Sequence, residues 1–557
     1  MYLQQLRVFI SLSVIILLYG CKKEVELPTY TITGKVLNEL DDRIFGGFFE
    51  KATWNGEIGS DAAISLETKD VFPEVKEYMD WMQIPILRFP GGTAIDYYPW
   101  YNLIDNMPEK HTSRPRNLHY KDLSRKDVLS SDGRMGLHEY IKLCKELAIE
   151  PHLVVNLGDA FYKKLSIEVA AQELAADLVS YCNDESGKWA ELRSTNGDEA
   201  PFNVKYFQIG NETWLFEGFK KNQRTPESLA HYTNCVEAYA RAMKEVDPSI
   251  ELIIDGVQEI SKEVMQRCGD LIAYNTFHTY SPWGIKEIKK NDEVISIDSV
   301  TESEVWQGLA SAPLIDENTG LSIIKEQLLN TMSSPLAITE WNLNCWFQGD
   351  AKSAKPYNQL LAYGIGAGSY LHAIMRVSDK VKIANQSMLV GTGWLITGIR
   401  VDTTEQARPQ MYPTGLVTGL YSRNHGNELM EVNDANIHMY NQPLVLSNIK
   451  PAQKVAEQDV VVTKDGNHYY VHIVNRSFDK DREVQVVFPE EVEGEYTHFL
   501  LSDRTKGEMS DFANIEEIQL NGASRKTQLS IPSKSVSVFK FNSQGAISSK
   551  IEETNNL

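Results

Sequence analysis

The sequence predicts an α/β protein: a (β/α)8 TIM barrel followed by a C-terminal antiparallel β-sandwich. Three observations lead there. Between Ile44 and about Arg423, short apolar strand-like runs alternate with helical patterns, the rhythm of a parallel sheet. After about Asn424 the pattern becomes short alternating strands separated by turn residues, which is the texture of a sandwich. At 557 residues the chain has room for one large barrel and a second domain. An open doubly wound sheet is the structural alternative, but no Gly-rich nucleotide loop supports it.

Taken in order, residues 1–20 read as a leader. Arg7 precedes an apolar run, residues 8–19, that is too short to cross a bilayer as a helix and ends in Leu18-Tyr19-Gly20-Cys21. This resembles a bacterial lipoprotein signal cut before Cys21, whose thiol then carries lipid; an ordinary secretory signal is the alternative. A lipid-anchored protein of the cell envelope is the expectation, on either face of the outer membrane. Residues 21–40 form a tether and a strand joining the sandwich. The barrel follows over 41–423, with strands expected at 84–89, 151–157, 204–209 and 251–255. Helices are expected at 137–147, 167–182 and 229–246, the first with Leu137, Ile141, Cys144 and Ala148 on one face. The sandwich spans 424–543, with strands at 460–463, 468–474, 483–488 and 536–541; residues 544–557 are polar and expected to be frayed.

Two glutamates stand just after strand-like segments: Glu212 in Gly210-Asn211-Glu212-Thr213-Trp214, and Glu340 in Thr339-Glu340-Trp341-Asn342. Two carboxyl groups across a cleft are the minimal equipment for cleaving a glycosidic bond, one giving a proton to the leaving oxygen and the other attacking or stabilising the sugar carbon. The formal charge of −21, or −22 once Arg7 leaves with residues 1–20, argues against nucleic acid and suits a neutral glycan. Cys144, Cys182, Cys235, Cys268 and Cys345 lie in no metal-type spacing and read as small buried hydrophobes. No metal and no cofactor are expected. The oligomeric state stays open, a homo-oligomer included.

Further motifs accompany the glutamates in order: Phe45-Gly-Gly-Phe-Phe-Glu50, Arg88-Phe-Pro-Gly-Gly92, Val155-Asn-Leu-Gly158, His278-Thr-Tyr280, Val381-Lys-Ile-Ala-Asn385 and Val474-Asn-Arg-Ser477. Together they resemble glycoside hydrolase family 51, the α-L-arabinofuranosidases, within the wider clan A of retaining glycosidases. The resemblance implies that Glu212 is the general acid/base and Glu340 the nucleophile. Asn211 is expected to bind the hydroxyl next to the anomeric carbon, and Arg88 to lie against Glu340 as its counter-ion. Tyr280 is expected to hydrogen-bond the nucleophile, His278 to line the site, and Glu50 to bind sugar hydroxyls. Three positions depart from the family pattern, Lys51, Thr93 and Met388, and all are expected where the terminal sugar is gripped. Such changes bear on the preferred sugar, because polar pockets discriminate strongly. Another clan A activity, an endo-glucanase or endo-xylanase, and a non-catalytic glycan-binding lipoprotein are the rival readings. Trp54, Trp81, Trp100 and Trp214 are considered as sugar-stacking platforms, with packing as their alternative role.

Overall fold

The computed structural model of the chain describes residues 26–51, 57–115, 118–121, 128–131, 133–162, 171–255, 258–315, 334–347, 360–401, 408–447, 449–502 and 515–544. The expected leader, Cys21, Trp54 and nearly all of the C-terminal tail lie outside them.

Eight parallel strands close a barrel. They are β1 (Gly46–Phe48), β2 (Ile86–Phe89), β3 (Glu150–Val155), β4 (Tyr206–Ile209), β5 (Glu251–Asp255), β6 (Ile272–Ile285), β7 (Leu336–Phe347) and β8 (Val381–Gln386). Asn385 of β8 pairs with Gly46 of β1 to complete the circle. A helix follows every strand, from Pro73–Met82 after β1 to Pro413–Arg423 after β8. Local chemistry sets several helix starts. Pro73, Pro226 and Pro413 occupy first-turn positions where a missing N–H costs nothing, and Thr225 Oγ1 accepts from Ser228 N at 3.2 Å. The helix Leu137–Glu146 buries Leu137, Ile141 and Cys144 as the periodicity predicts. Ala148 departs from that face. The helix has ended by then, and Ala148 is exposed in a left-handed turn with φ 54°.

The strand Thr29–Glu39 leaves the N-terminal side of the barrel and joins the C-terminal sheet, pairing antiparallel with Glu428–Ala435. Nine strands are hydrogen-bonded in that sheet. Its two ends fold over a shared core, since Val484, Val486, Leu529 and Ile531 of one end pack with Val471, Ile473, Phe539 and Phe541 of the other. The sandwich is antiparallel with one exception: Thr29 to Thr31 run parallel to Gln485 to Val487. A strand delivered from the far end of the chain is free of the hairpin constraint that makes neighbours antiparallel.

Candidate active site

The barrel interior is layered. Ile86, Tyr206, Ile253, Tyr274, Ala337 and Ile383 form a buried apolar plug. Two residues further along their strands, period 2 places Arg88, Gln208, Thr276, Thr339 and Asn385, all buried. An apolar floor thus carries a polar layer directly beneath the C-terminal mouth, where barrels hold their active sites.

Glu340 reaches this layer through an irregularity. The register of β7 slips after Ile338 against both β6 and β8. Strict alternation would turn Thr339 and Glu340 to opposite faces. The slip lets both point inward, as bulges do when they re-aim a side chain. Glu212 is aimed by a kink at the end of β4: Gly210 has φ 83° and Glu212 itself φ 47°. A Cβ on Gly210 would lie 2.7 Å from Thr213 Cγ2, so the turn needs glycine there.

Arg88 is fully buried and organises the floor. Its guanidinium donates to Glu340 Oε1 at 2.9 Å, to Asn211 Oδ1 at 2.6 Å and, through Nε, to Gln208 Oε1 at 2.9 Å. The Phe48 ring lies 4.4 Å beneath it. Tyr280 donates its hydroxyl to Glu340 Oε2 at 2.8 Å. His278 Nδ1 lies 3.1 Å from Glu212 Oε1 and 3.4 Å from Glu340 Oε2, and its Nε2 is 3.0 Å from Thr339 Oγ1. Burial, with help from Arg88 and against Glu340, pushes the His278 pKa down to about 4, so the ring is neutral near pH 7. Thr276 and Thr339 hydroxyls lie 2.6 Å apart, and Thr276 Oγ1 also accepts from Thr339 N. If Thr276 donates its hydroxyl to Thr339 Oγ1, the Thr339 hydroxyl donates to Nε2, and the neutral ring keeps its one proton on Nδ1, facing the two carboxyls.

One oxygen of Glu212 and one of Glu340 lie within 4.8 Å of each other. Glu340 is nearly buried, whereas the Glu212 side chain is 25% exposed. The third carboxyl, Glu50, is buried beside Gly92, where a Cβ would lie 2.3 Å from its Oε1. Burial, then Glu340 and Glu212, lift the Glu50 pKa well above the ordinary carboxylate range. Burial, then Glu340 and Glu50, likewise raise the Tyr280 pKa. Asn211 Nδ2 is buried without a hydrogen-bond partner, a donor held ready for a ligand.

These groups surround a cavity of about 400 Å³. All the site residues expected within the barrel are therefore brought together: Glu50, Glu212, His278, Tyr280 and Glu340 line the cavity, with Arg88 and Asn211 directly behind. The three departures from the family pattern divide. Thr93 lines the cavity. Lys51 does not: it is buried against Asp61 at 2.6 Å and donates to Met135 O at 2.8 Å, because an ammonium that deep needs a counter-ion. Met388 is buried against the side of Gly391 and is also absent from the lining. Of the tryptophans, Trp214 lines the cavity, while Trp100 packs edge-on against Tyr101 and Trp189 and tilted against Tyr181, and Trp81 packs against Gly419 and Arg423.

The sequence reading missed Trp283, Trp346 and Trp394, which also line the cavity. Trp283 and Trp346 sit three and six residues beyond Tyr280 and Glu340, and that proximity was the available signal. Two buried carboxylates outside the cavity were missed as well. Asp96 accepts from Asn211 N at 3.0 Å, Leu157 N at 2.8 Å and Gly158 N at 3.1 Å; burial lifts it to about 7 against those backbone donors. Glu57 accepts from the backbone N–H groups of Thr392, Gly393 and Trp394 at 2.7, 2.8 and 3.1 Å, and so fixes the Trp394 wall.

Among the described residues, Glu212, His278 and Glu340 also form a group whose donor atoms would suit a metal ion. The donor set argues for another use. Both Glu340 oxygens already accept from Arg88 and Tyr280, and the adjacent guanidinium repels a cation.

The Alpha-L-arabinofuranosidase 1 domain family matches residues 78–293. The chain is 26% identical over 384 residues to an intracellular exo-alpha-(1->5)-L-arabinofuranosidase of Acetivibrio thermocellus, covering 63% of this chain and 67% of that one. It is 31% identical over 369 residues to a probable alpha-L-arabinofuranosidase C of Aspergillus niger, covering 62% and 66%. The α-L-arabinofuranosidase of Thermotoga maritima, solved with arabinose, superposes with a TM-score of 0.68 at 21% identity over 92% of this chain and 99% of that one. The GH51 arabinofuranosidase of Xanthomonas axonopodis pv. citri gives 0.69 at 18% identity over 93% and 100%. By sequence the chain is related to α-L-arabinofuranosidases, and its fold is that of solved members of glycoside hydrolase family 51.

Proposed function

We propose that the protein is a retaining glycoside hydrolase, an α-L-arabinofuranosidase that removes terminal arabinofuranosyl groups from plant polysaccharides or their oligosaccharides. One observation carries the mechanism: one oxygen of Glu212 and one of Glu340 lie within 4.8 Å of each other, with Arg88 bonded to Glu340. Retaining enzymes hold their carboxyl groups about 5–5.5 Å apart, inverting ones about 6.5–9.5 Å. Glu340 attacks the anomeric carbon while Glu212 delivers its proton to the leaving oxygen, and the glycosidic C–O bond breaks. Water then loses its proton to Glu212 and attacks the same carbon, which releases the Glu340 carboxylate. Arg88 and Tyr280 hold Glu340 in line, and His278, neutral, bridges the two carboxyls without neutralising either. The free Asn211 Nδ2 donates to a sugar hydroxyl, and Glu50, whose carboxyl burial and the neighbouring glutamates hold above its ordinary range, offers a second polar contact.

Glu212→Ala tests the assignment. Activity should survive best on aryl glycosides with good leaving groups, which need little protonation, and azide should restore turnover by attacking the glycosyl-enzyme. Proton NMR of the first product formed in D₂O should show the substrate's anomeric configuration; net inversion rejects the reading.

The lipid anchor is part of the same proposal. The placement of Gly20-Cys21 after Arg7 and an apolar run supports it. Membrane partitioning that is lost in Cys21→Ser is the expected result.

A further inference from the structure

Asp96 stands outside the catalytic cavity, yet it holds the backbone that carries Glu212. It is buried in the short helix Thr93–Tyr97 that follows β2. Its Oδ1 accepts from Leu157 N and Gly158 N, just past the end of β3, at 2.8 and 3.1 Å. Its Oδ2 accepts from Asn211 N at 3.0 Å, just past the end of β4 and 115 residues further along the chain. Three backbone donors on one carboxyl match a carboxylate that accepts through both oxygens. A single side chain thus ties together the loops of three neighbouring strands, β2, β3 and β4. The loops are also in close contact: a Cβ on Gly158 would lie 2.2 Å from Asp96 O, and one on Gly210 would lie 3.3 Å from Leu157 Cβ.

The segment that Asp96 holds is one that needs holding. Asn211 stands between two residues in the left-handed region, Gly210 and Glu212. Glycine adopts that conformation freely, whereas a glutamate stays there only where its surroundings over-determine it. Gly210 is fixed from both sides, its N–H donating to Val155 O and its carbonyl accepting from Gln208 Nε2, each at 2.9 Å. The next N–H along, that of Asn211, goes to Asp96. We infer that Asp96 is a positioning residue for the hydrolysis: by fixing the Asn211 N–H it sets where Glu212 presents its proton to the leaving oxygen. The inference rests on reading Glu212 as the acid/base. Asp96 does not line the cavity, so it acts through the backbone. The Asn211 side chain has its own anchor in Arg88, and Glu340 has Arg88 and Tyr280. Loosening Asp96 should therefore displace Glu212 and spare the nucleophile, and a displacement of about 1 Å is enough to cost on the order of 10²-fold in rate.

The test compares wild type with Asp96→Asn at about pH 8, where Asp96, lifted by burial to about 7, is ionised. The amide keeps one oxygen for Leu157 and Gly158 and turns its NH2 on the Asn211 N–H, so a donor faces a donor there. The first readout is kcat/KM on arabinobiose, whose leaving group needs a proton, divided by kcat/KM on dinitrophenyl α-L-arabinofuranoside, whose leaving group does not. This ratio should fall about tenfold, while the dinitrophenyl value changes less than about threefold. A merely structural role lowers both values together at matched folded fraction, and that result, or an unchanged ratio, overturns the inference. The second readout needs no substrate: in a crystal structure of the variant the Glu212 carboxyl should leave its 3.1 Å contact with His278. A Glu212 that stays in place overturns the inference. Should Asp96→Asn not fold, Asp96→Ser, which leaves one smaller acceptor, is read in the same two ways. Wild type that hydrolyses no arabinofuranoside rejects the activity reading instead, and the position of Glu212 in the variant then decides the inference alone.

Discussion

Two buried ionic clusters, one at the barrel mouth and one at the seam between barrel and sandwich, use the same residue types to opposite ends. At the seam, Asp459 on the strand Gln458–Asp465 pairs with Arg376 and with Arg476 at 2.9 Å, and His372 lies 3.3 Å away. Arg476 also donates to Ala310 O at 3.1 Å and Ser369 Oγ at 3.0 Å, tying the sandwich to two barrel helices. Burial pushes the Asp459 carboxyl up, but Arg376, His372 and Arg476 hold it well below its ordinary range. The seam therefore has one carboxylate for two guanidiniums. The mouth has three carboxyls, Glu50, Glu212 and Glu340, around the single guanidinium of Arg88. One cluster is closed, because both guanidiniums also donate to backbone carbonyls, Arg376 to Val460 O and Arg476 to Ala310 O and Ala456 O. The other is left over-acidic, with an unpaired Asn211 donor and a Glu50 pushed toward protonation, and only a ligand completes it.

The largest effects separate the clusters by what they lose. Glu340→Gln should reduce kcat on the order of 10⁴-fold or more, since no other group supplies the attacking oxygen, with little change in unfolding midpoint. Asp459→Asn should do the reverse. It leaves two arginines uncompensated and should cost about 3–5 kcal/mol in denaturant unfolding, while the folded enzyme keeps near wild-type kcat. A large activity loss at matched folded fraction would break the contrast.

His278 sharpens it through pH. Its folded pKa, about 4, lies below the ordinary 6.5, so on acidification the unfolded chain takes up the proton first. The stability is fully present above pH 6.5 and is lost as pH falls through 4, by up to about 3 kcal/mol. Between pH 7 and 4, His278→Gln should lose less stability than wild type by that amount, as urea titrations at each pH would reveal.

Glu50 should act as a neutral hydrogen-bonding group. Glu50→Gln, its near-isostere, should then retain about tenfold more kcat/KM than Glu50→Ala. Because its folded pKa is raised, stability is present below about 4.5 and lost as pH rises through the folded value, so Glu50→Gln should also gain stability at neutral pH. The smallest expected effect is that of chelation: prolonged dialysis against EDTA should leave kcat unchanged. Loss restored by one divalent ion would reassign Glu212, His278 and Glu340 as a metal site.

Much of this was written in the chain. The strand-helix rhythm with Glu212 and Glu340 at strand ends determined a parallel barrel with two carboxyls at one mouth, because period and strand polarity are local properties. The alternating strands after Asn424 determined a second β-layered unit for the same reason. Only the tertiary structure decided the rest. The slip after Ile338 that turns Glu340 inward depends on β6 and β8, not on β7 alone. Lys51 looked like a sugar contact beside Glu50 until Asp61 and Met135, reached only by folding, took its charge. Gln208 and Asp96 give no motif, since each acts on a partner far along the chain: Gln208 on Arg88, Asp96 on Asn211. Trp283, Trp346 and Trp394 line one cavity because segments distant in sequence meet at the barrel mouth. Local sequence sets which face a side chain can take, and the energy of burial among non-local neighbours decides what it meets there.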